Sequence, residues 1–194
     1  MEKRPIQWRK TFWLGASPDY AWQDPRNRIE EEVSKYVPKL NVWGAIGYHV
    51  KSELYFFEEN LDGELYRKIL KARLPEKHLT YSPTCPNKLR EKWIFLQDND
   101  PKHKAKKSME LLRKIVGDRF ISHPPVSPDL NPMEDIWSYL DRKVKDHKCQ
   151  TIIGLKRMLT KEWDAMDWEI RASADSMAIR LEQCIEAGGK RLNY

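Results

Sequence analysis

The chain carries only three cysteines in 194 residues, Cys85, Cys149 and Cys184, far apart and without a Cys-x-x-Cys pair. An odd, scattered set argues against a disulfide framework and a cysteine zinc site, and fits a reducing intracellular compartment. No apolar run approaches the roughly 20 residues of a membrane-spanning helix, so no membrane partner is expected. The start, MEKRPIQWRK, lacks the apolar segment of a secretory signal, while its basic, Arg-containing character leaves an organellar presequence open. Internal repeats and low-complexity tracts are absent, and the five histidines form no metal-ligand pattern.

What is present is charge and aromatic surface. Charged residues make up 33% of the chain, yet eight Trp and eight Tyr supply enough apolar area to fold it. The length suits one domain over residues 1–194 with a single core. A net charge of +6 favours an acidic partner such as nucleic acid.

Apolar clusters at 11–14, 40–50, 53–57 and 92–97 read as strands, the last as a central one covered on both faces. Trp13, Trp43, Trp93 and Trp137 fall in elements expected to form the core. The polar, proline-bracketed stretch 23–39 reads as an arm leaving the sheet. A helix-containing insertion falls near 62–71. From Lys104 the period becomes helical, with Ala105, Met109, Leu112 and Val116 on one face. A second helix starts at Pro132 and carries Met133, Ile136, Trp137, Leu140 and Val144. Thr151 caps a third, carrying Ile152, Leu155, Leu159 and Met166. A fourth, within the C-terminal segment 168–194, carries Ile170, Ala174, Met177, Leu181 and Ile185 and ends at Gly188-Gly189.

Two acids stand where chemistry is possible: Asp98 at a strand end and Glu134 in the first turn of a helix. Carboxylates from such places can converge on a hard cation. Taken singly, each has a plainer reading, Asp98 as a turn former and Glu134 as a complement to the helix dipole.

Together, QDNDPKH (97–103) and SPDLNPMEDIW (127–137) resemble the catalytic core of mariner-type cut-and-paste transposases, which use an Asp-Asp-Glu triad. By that resemblance Asp98 is the second acid and Glu134 the third, with 35 residues between them. Residues 42–70 look like the family's middle strands and first core helix, and 176–194 like its C-terminal ending. The resemblance implies a ribonuclease H-like α/β fold, a mixed five-stranded sheet with helices on both faces. It also implies an ancestral Mg²⁺ or Mn²⁺ requirement. The 23–39 arm resembles the loop by which such transposases grip a partner subunit, so a protein partner or homodimer is expected there. The helix-turn-helix modules that precede the family's catalytic domain have no counterpart in these 194 residues.

The first acid of the triad is missing. Aligning the Trp and Ser of WRKTFWLGAS (8–17) with the family's opening strand places Gly15 where the Asp belongs and Ala16 where the following Glu belongs. Asp19 is the nearest substitute, past Pro18 and displaced by several ångströms of chain. Asp98 and Glu134 alone are expected to hold one ion weakly at most, so no cofactor is expected. The expected function is therefore a catalytically inactive, transposase-derived domain that binds nucleic acid, duplex DNA or RNA, or acts as a scaffold. The alternatives are a purely structural protein-interaction subunit and a still-active metal-dependent nuclease using a substitute acid. Arg9, Lys10, Lys102, His103, Lys104, Lys106, Arg142 and Lys145 are the candidate phosphate contacts; a solvated helix face is the plainer reading of the same charges. Nuclear placement follows from the resemblance alone.

Overall fold

The structure is a computed structural model that describes residues 9–13, 39–75, 78–85, 94–124, 127–147, 149 and 151–192. The candidate first-acid position Gly15, together with Ala16, Asp19, Trp93 and residues 23–38 of the arm, lies outside the described residues.

Strands β1 (Arg9–Trp13), β2 (Lys39–Trp43) and β5 (Tyr55–Phe57) form an antiparallel ladder in the order β1-β2-β5, and β7 (Phe95–Gln97) pairs in parallel with β8 (Phe120–Ser122). The expected five-stranded mixed sheet is represented among the described residues by these two ladders, one antiparallel and one parallel. Three more short strands, β3 (Ile46–Gly47), β4 (Val50–Ser52) and β6 (Leu79–Tyr81), make a separate antiparallel ladder. The apolar run 40–50 is thus two strands, a turn at Tyr48–His49 and the start of a third.

Among the described residues there are six α-helices: α1 (Gly63–Arg73), α2 (Pro101–Lys104), α3 (Lys106–Val116), α4 (Pro132–His147), α5 (Ile152–Ala165) and α6 (Trp168–Glu186). Their ends obey local chemistry. The Asp62 carboxylate accepts from the Leu65 N–H (2.7 Å) to start α1, and the Thr151 hydroxyl accepts from the Gly154 N–H (3.0 Å) to start α5. Gly188 and Gly189, both at positive φ, close α6. Helix α1 packs on α3, while α4 packs on α5, α6 and β1. None of the described helices is long and apolar enough to cross a membrane.

The core is built on Leu40, Val42 and Trp43 of β2, Tyr66, Ile69 and Leu70 of α1, and Met133, Ile136, Trp137 and Leu140 of α4. Trp137 stacks against Trp163 at 6.1 Å between ring centroids. The Trp163 indole N–H donates to the Ser52 carbonyl (2.8 Å). Beside it, the buried Lys51 ammonium donates to the Trp163 and Asp164 carbonyls (3.0 and 2.7 Å) and to Asp167 (3.0 Å). This charge satisfies carbonyls at the C-terminal end of α5 and ties that end to β4.

The fourth helix departs from its expected apolar stripe. Ile170 is buried, but Leu181 and Ile185 are exposed, and the remaining inward positions are Ser173 and Arg180. The reason lies in its partner: beyond Ile170, α6 docks through hydrogen bonds to the start of α4 and the loop before it.

A Cβ at Gly44 would come within 2.9 Å of the buried Trp163 ring. Gly44→Ala is expected to cost about 1–3 kcal/mol by overpacking, read as a lower denaturation midpoint at unchanged slope. The double variant Gly44→Ala/Trp163→Phe should lose clearly less than the sum of the singles; simple additivity would contradict this packing.

Candidate functional site

Asp98 follows β7 directly, where Phe95 and Gln97 are buried, and its own carboxylate is only 3% exposed. A buried carboxylate needs donors. Its Oδ1 lies 2.5 Å from His103 Nδ1 and accepts from the Asp100 N–H at 3.1 Å. Its Oδ2 is buried with no hydrogen-bond partner. His103 is brought round by the short helix α2, which starts with Pro101 after the Asp100 cap, whose carboxylate accepts from the Lys102 N–H at 2.9 Å.

The His103 ring lies against Tyr66 of α1, with centroids 4.1 Å apart, and the Tyr66 hydroxyl donates to Gln97 Oε1. Burial, joined by the negative charges of Asp98 and Asp100, pushes the Tyr66 phenol well above its ordinary pKa, so it is a neutral donor. Burial also works against the charged form of Asp100. The Lys102 N–H, the His103 charge and the Lys102 ammonium at 3.2 Å outweigh that and hold the carboxyl below its usual range.

Glu134 is positioned by different chemistry. Asn131 caps α4: its Oδ1 accepts from the Met133 N–H (3.1 Å) and its Nδ2 donates to Glu134 Oε1 (3.3 Å), with Pro132 opening the helix. A chain of hydrogen bonds links the two acid-bearing segments. Asn99 donates to the His123 carbonyl (2.7 Å), and His123, itself buried, sets its ring nitrogens against the Pro124 and Leu130 carbonyls (2.8 and 3.3 Å).

Helix α6 holds the same loop from outside. Arg180 donates to Asp135 Oδ2 (2.5 Å) and to the Asp129 carbonyl (3.2 Å), and Ser173 Oγ lies 2.6 Å from Asp135 and 2.9 Å from the Pro132 carbonyl. Asp129 in turn accepts from the Leu192 N–H at 3.1 Å.

The expected phosphate contacts separate into groups. Lys104 and Lys106 are exposed beside the Asp98 turn, and Lys102 is half-buried and paired with Asp100. His103 corrects the expectation: at 2% exposure its ring serves Asp98, leaving no surface for a phosphate. Arg142 and Lys145 are exposed on α4, but Arg142 stands about 12 Å along the helix axis from Glu134 at 1.5 Å per residue. It lies over the Tyr139 ring (5.9 Å). Arg9 and Lys10 occupy β1 opposite Trp43 and Val42.

Among the described residues, no group of three or more His, Cys, Asp or Glu stands ready to hold a metal ion. The unpartnered Asp98 Oδ2 is the oxygen a hard cation would satisfy. Tyr66, Gln97, Asn99 and His123 are the site residues that sequence reasoning misses. Only the Asn-Pro-x-Glu cap announces itself locally.

Residues 10–156 match the family described as DDE superfamily endonuclease. The Transposable element Tcb2 transposase of Caenorhabditis briggsae is 29% identical over 154 residues, covering 79% of this chain and 54% of that protein. The Transposable element Tc3 transposase of Caenorhabditis elegans is 29% identical over 158 residues, covering 79% and 45%. The chain thus spans about half the length of these curated relatives. Among solved structures, the mariner Mos1 paired-end complex with Mg superposes with a TM-score of 0.68 at 19% identity, over 95% of this chain and 55% of that one. The Mos1 transposase catalytic domain with Raltegravir and Mg gives 0.64 at 18% identity, over 95% and 84%. At such identity the likeness establishes the fold, which is ribonuclease H-like.

The lowered Asp100 pKa has a definite sign. Its folded value lies below the unfolded value of about 3.9, so its stabilisation is complete above that pH and is lost as pH falls through the folded value. Asp100→Asn should therefore be less stable than the parent at pH 7, and the gap should shrink as pH falls through the folded-state value of Asp100, as read by urea melts across pH. An equal gap at every pH would contradict the assignment.

Proposed function

This chain belongs to the DDE superfamily endonuclease family, and from that premise we propose that it is a transposase-derived domain that no longer cuts DNA but still binds nucleic acid or serves as a scaffold. What carries the proposal is Gly15, the residue that the resemblance to mariner-type transposases aligns with the first acid. Two-metal phosphoryl transfer needs carboxylates that hold both cations, because the pair clamps the attacking and leaving oxygens together. Asp98 offers one unpartnered oxygen, and Glu134 brings a second carboxylate from the start of α4. On this reading the two acids would hold at most one hard cation, Mg²⁺ or Mn²⁺, and that weakly, not the pair.

Nucleic-acid binding is supported by the exposed Lys104 and Lys106 beside the Asp98 turn and by Arg142 and Lys145 on α4. In the similar Mos1 protein, solved complexes contain a transposon end. On the same reading the chain is placed in the nucleus, binding duplex DNA or RNA, and the 23–39 arm meets a protein partner or a second copy. A protein-assembly role has one observation of its own: α6 leaves Trp168, Ile179, Leu181 and Ile185 exposed.

Binding to a short DNA duplex, measured across a salt series without divalent ions, should weaken linearly on logarithmic axes. Replacing Lys104 and Lys106 by Gln should lower that slope by roughly 2, and Arg142→Gln by a further unit. No binding at low salt would remove the nucleic-acid reading and leave protein assembly.

A further inference from the structure

Charge is unevenly placed on this chain, and its excess sits on two helices. Helix α1 carries four cations against one carboxylate, Glu64, and α3 carries four against Glu110 alone. Together they hold an excess of six positive charges, as large as the net charge of the whole chain, +6. In α4, α5 and α6 the two signs nearly cancel or the acids prevail. Helices α1 and α3 pack side by side, with Tyr66, Ile69 and Leu70 of one and Ser108, Leu112 and Val116 of the other turned inward. Lys68, Lys71, Lys107, Arg113 and Lys114 are exposed on their outer side.

Fold stability accounts for only part of this. Lys71, Arg113 and Lys114 stand in last turns, where cations complement the helix dipole. Lys107 stands with Lys106 in the first turn of α3, which holds no acid, and positive charge there opposes the dipole. None of the five exposed cations has a carboxylate partner among the described residues. Elsewhere cations are paired: Lys143 with Glu162 (3.7 Å), Lys156 with Glu58 (3.6 Å) and Arg180 with Asp135 (2.5 Å). The acids nearest the face lie at its ends. Glu58, Glu59, Asp62 and Glu64 gather before and at the start of α1, and Asp118 follows α3, so Glu110 alone interrupts it.

What the face lacks selects its partner. Among the described residues, none of the large apolar side chains that are exposed stands on α1 or α3. A protein interface draws on apolar or aromatic anchors, a membrane-bound helix inserts apolar side chains, and a single strand stacks its bases on aromatic rings. The phosphate backbone of a duplex needs none of these, only cations spaced along it. Each helix has 11 residues. At about 1.5 Å per residue that is about 16 Å, the length of about five phosphates of one strand at about 3.4 Å of axis each.

We propose that the outer face of α1 and α3 lies along the phosphate backbone of a nucleic-acid duplex, with Lys68, Lys71, Lys107, Arg113 and Lys114 as phosphate contacts, and that it reads no base. The inference rests on the nucleic-acid reading above and adds a surface that the cations named there do not form. Both helices start beside the Asp98 turn, since Tyr66 of α1 lies against His103 and α3 follows α2. The face therefore leads away from the acids, and the duplex follows it. Nothing in these contacts depends on Asp98, Glu134 or a bound cation.

The test is binding of the purified full chain to two short DNA duplexes of unrelated sequence across a salt series. Lys68→Gln/Lys71→Gln and Lys107→Gln/Lys114→Gln should each weaken binding at low salt and lower the slope by roughly 2, equally for both duplexes. Arg157→Gln/Lys161→Gln removes the same charge from the exposed side of α5 and should leave the slope unchanged. Gln keeps the helix propensity of the residues it replaces, and thermal melts establish that each variant is folded. Folded α1 and α3 variants with the parent's slope would overturn this proposal and leave the nucleic-acid reading standing, whereas no duplex binding by the parent at low salt would overturn both. Weakening confined to one duplex would mean that bases are read, against the proposal. Binding to phosphatidylserine vesicles or to polyglutamate that is tighter than duplex binding and lost in the same variants would assign the face to a membrane or an acidic protein, and would also overturn it.

Discussion

A carboxylate placed at the buried end of a strand must find donors within the protein, and at Asp98 this requirement organises its surroundings. The Asp100 N–H and His103 supply them, which fixes the tight turn after β7 and the short helix α2 that carries His103 back. Tyr66 then closes over His103 and binds Gln97, so α1 is registered against β7 by polar contacts as well as apolar ones. Breaking one member of such a network leaves another buried and unsatisfied, which is why it behaves as a unit.

The second acid-bearing segment is joined to this one by the Asn99–His123–Leu130 hydrogen bonds and held from outside by α6. Neither linkage needs a metal ion or the first acid. These linkages can therefore hold Asp98 and Glu134 in place whichever residue stands at the first-acid position. On the reading proposed above, that separation between what holds the scaffold and what performs the chemistry is what would let the domain persist without cutting.

Much of this was legible in the sequence because it rests on local rules. Asp62, Thr151 and Gly188-Gly189 mark helix ends, and Asn131-Pro132 with Glu134 marks the start of α4. Strands β6 and β8 were not legible, since three residues are too few to establish a period. The orientation of α6 was misread for a different reason: its inward face is carried by Ser173 and Arg180, which satisfy groups on the α4 loop, and a rule that turns apolar residues inward cannot find it. His103 reads as a candidate phosphate contact until α2 brings its ring onto Asp98.

The central claim, a retained scaffold without cutting, is tested most directly by incubating the purified chain with supercoiled plasmid in Mn²⁺, beside Asp98→Ala. The account predicts no nicking above the level of the variant over hours. Mn²⁺-dependent nicking by the parent chain that disappears in Asp98→Ala would contradict it, and would mean that an acid other than one at position 15 completes the site.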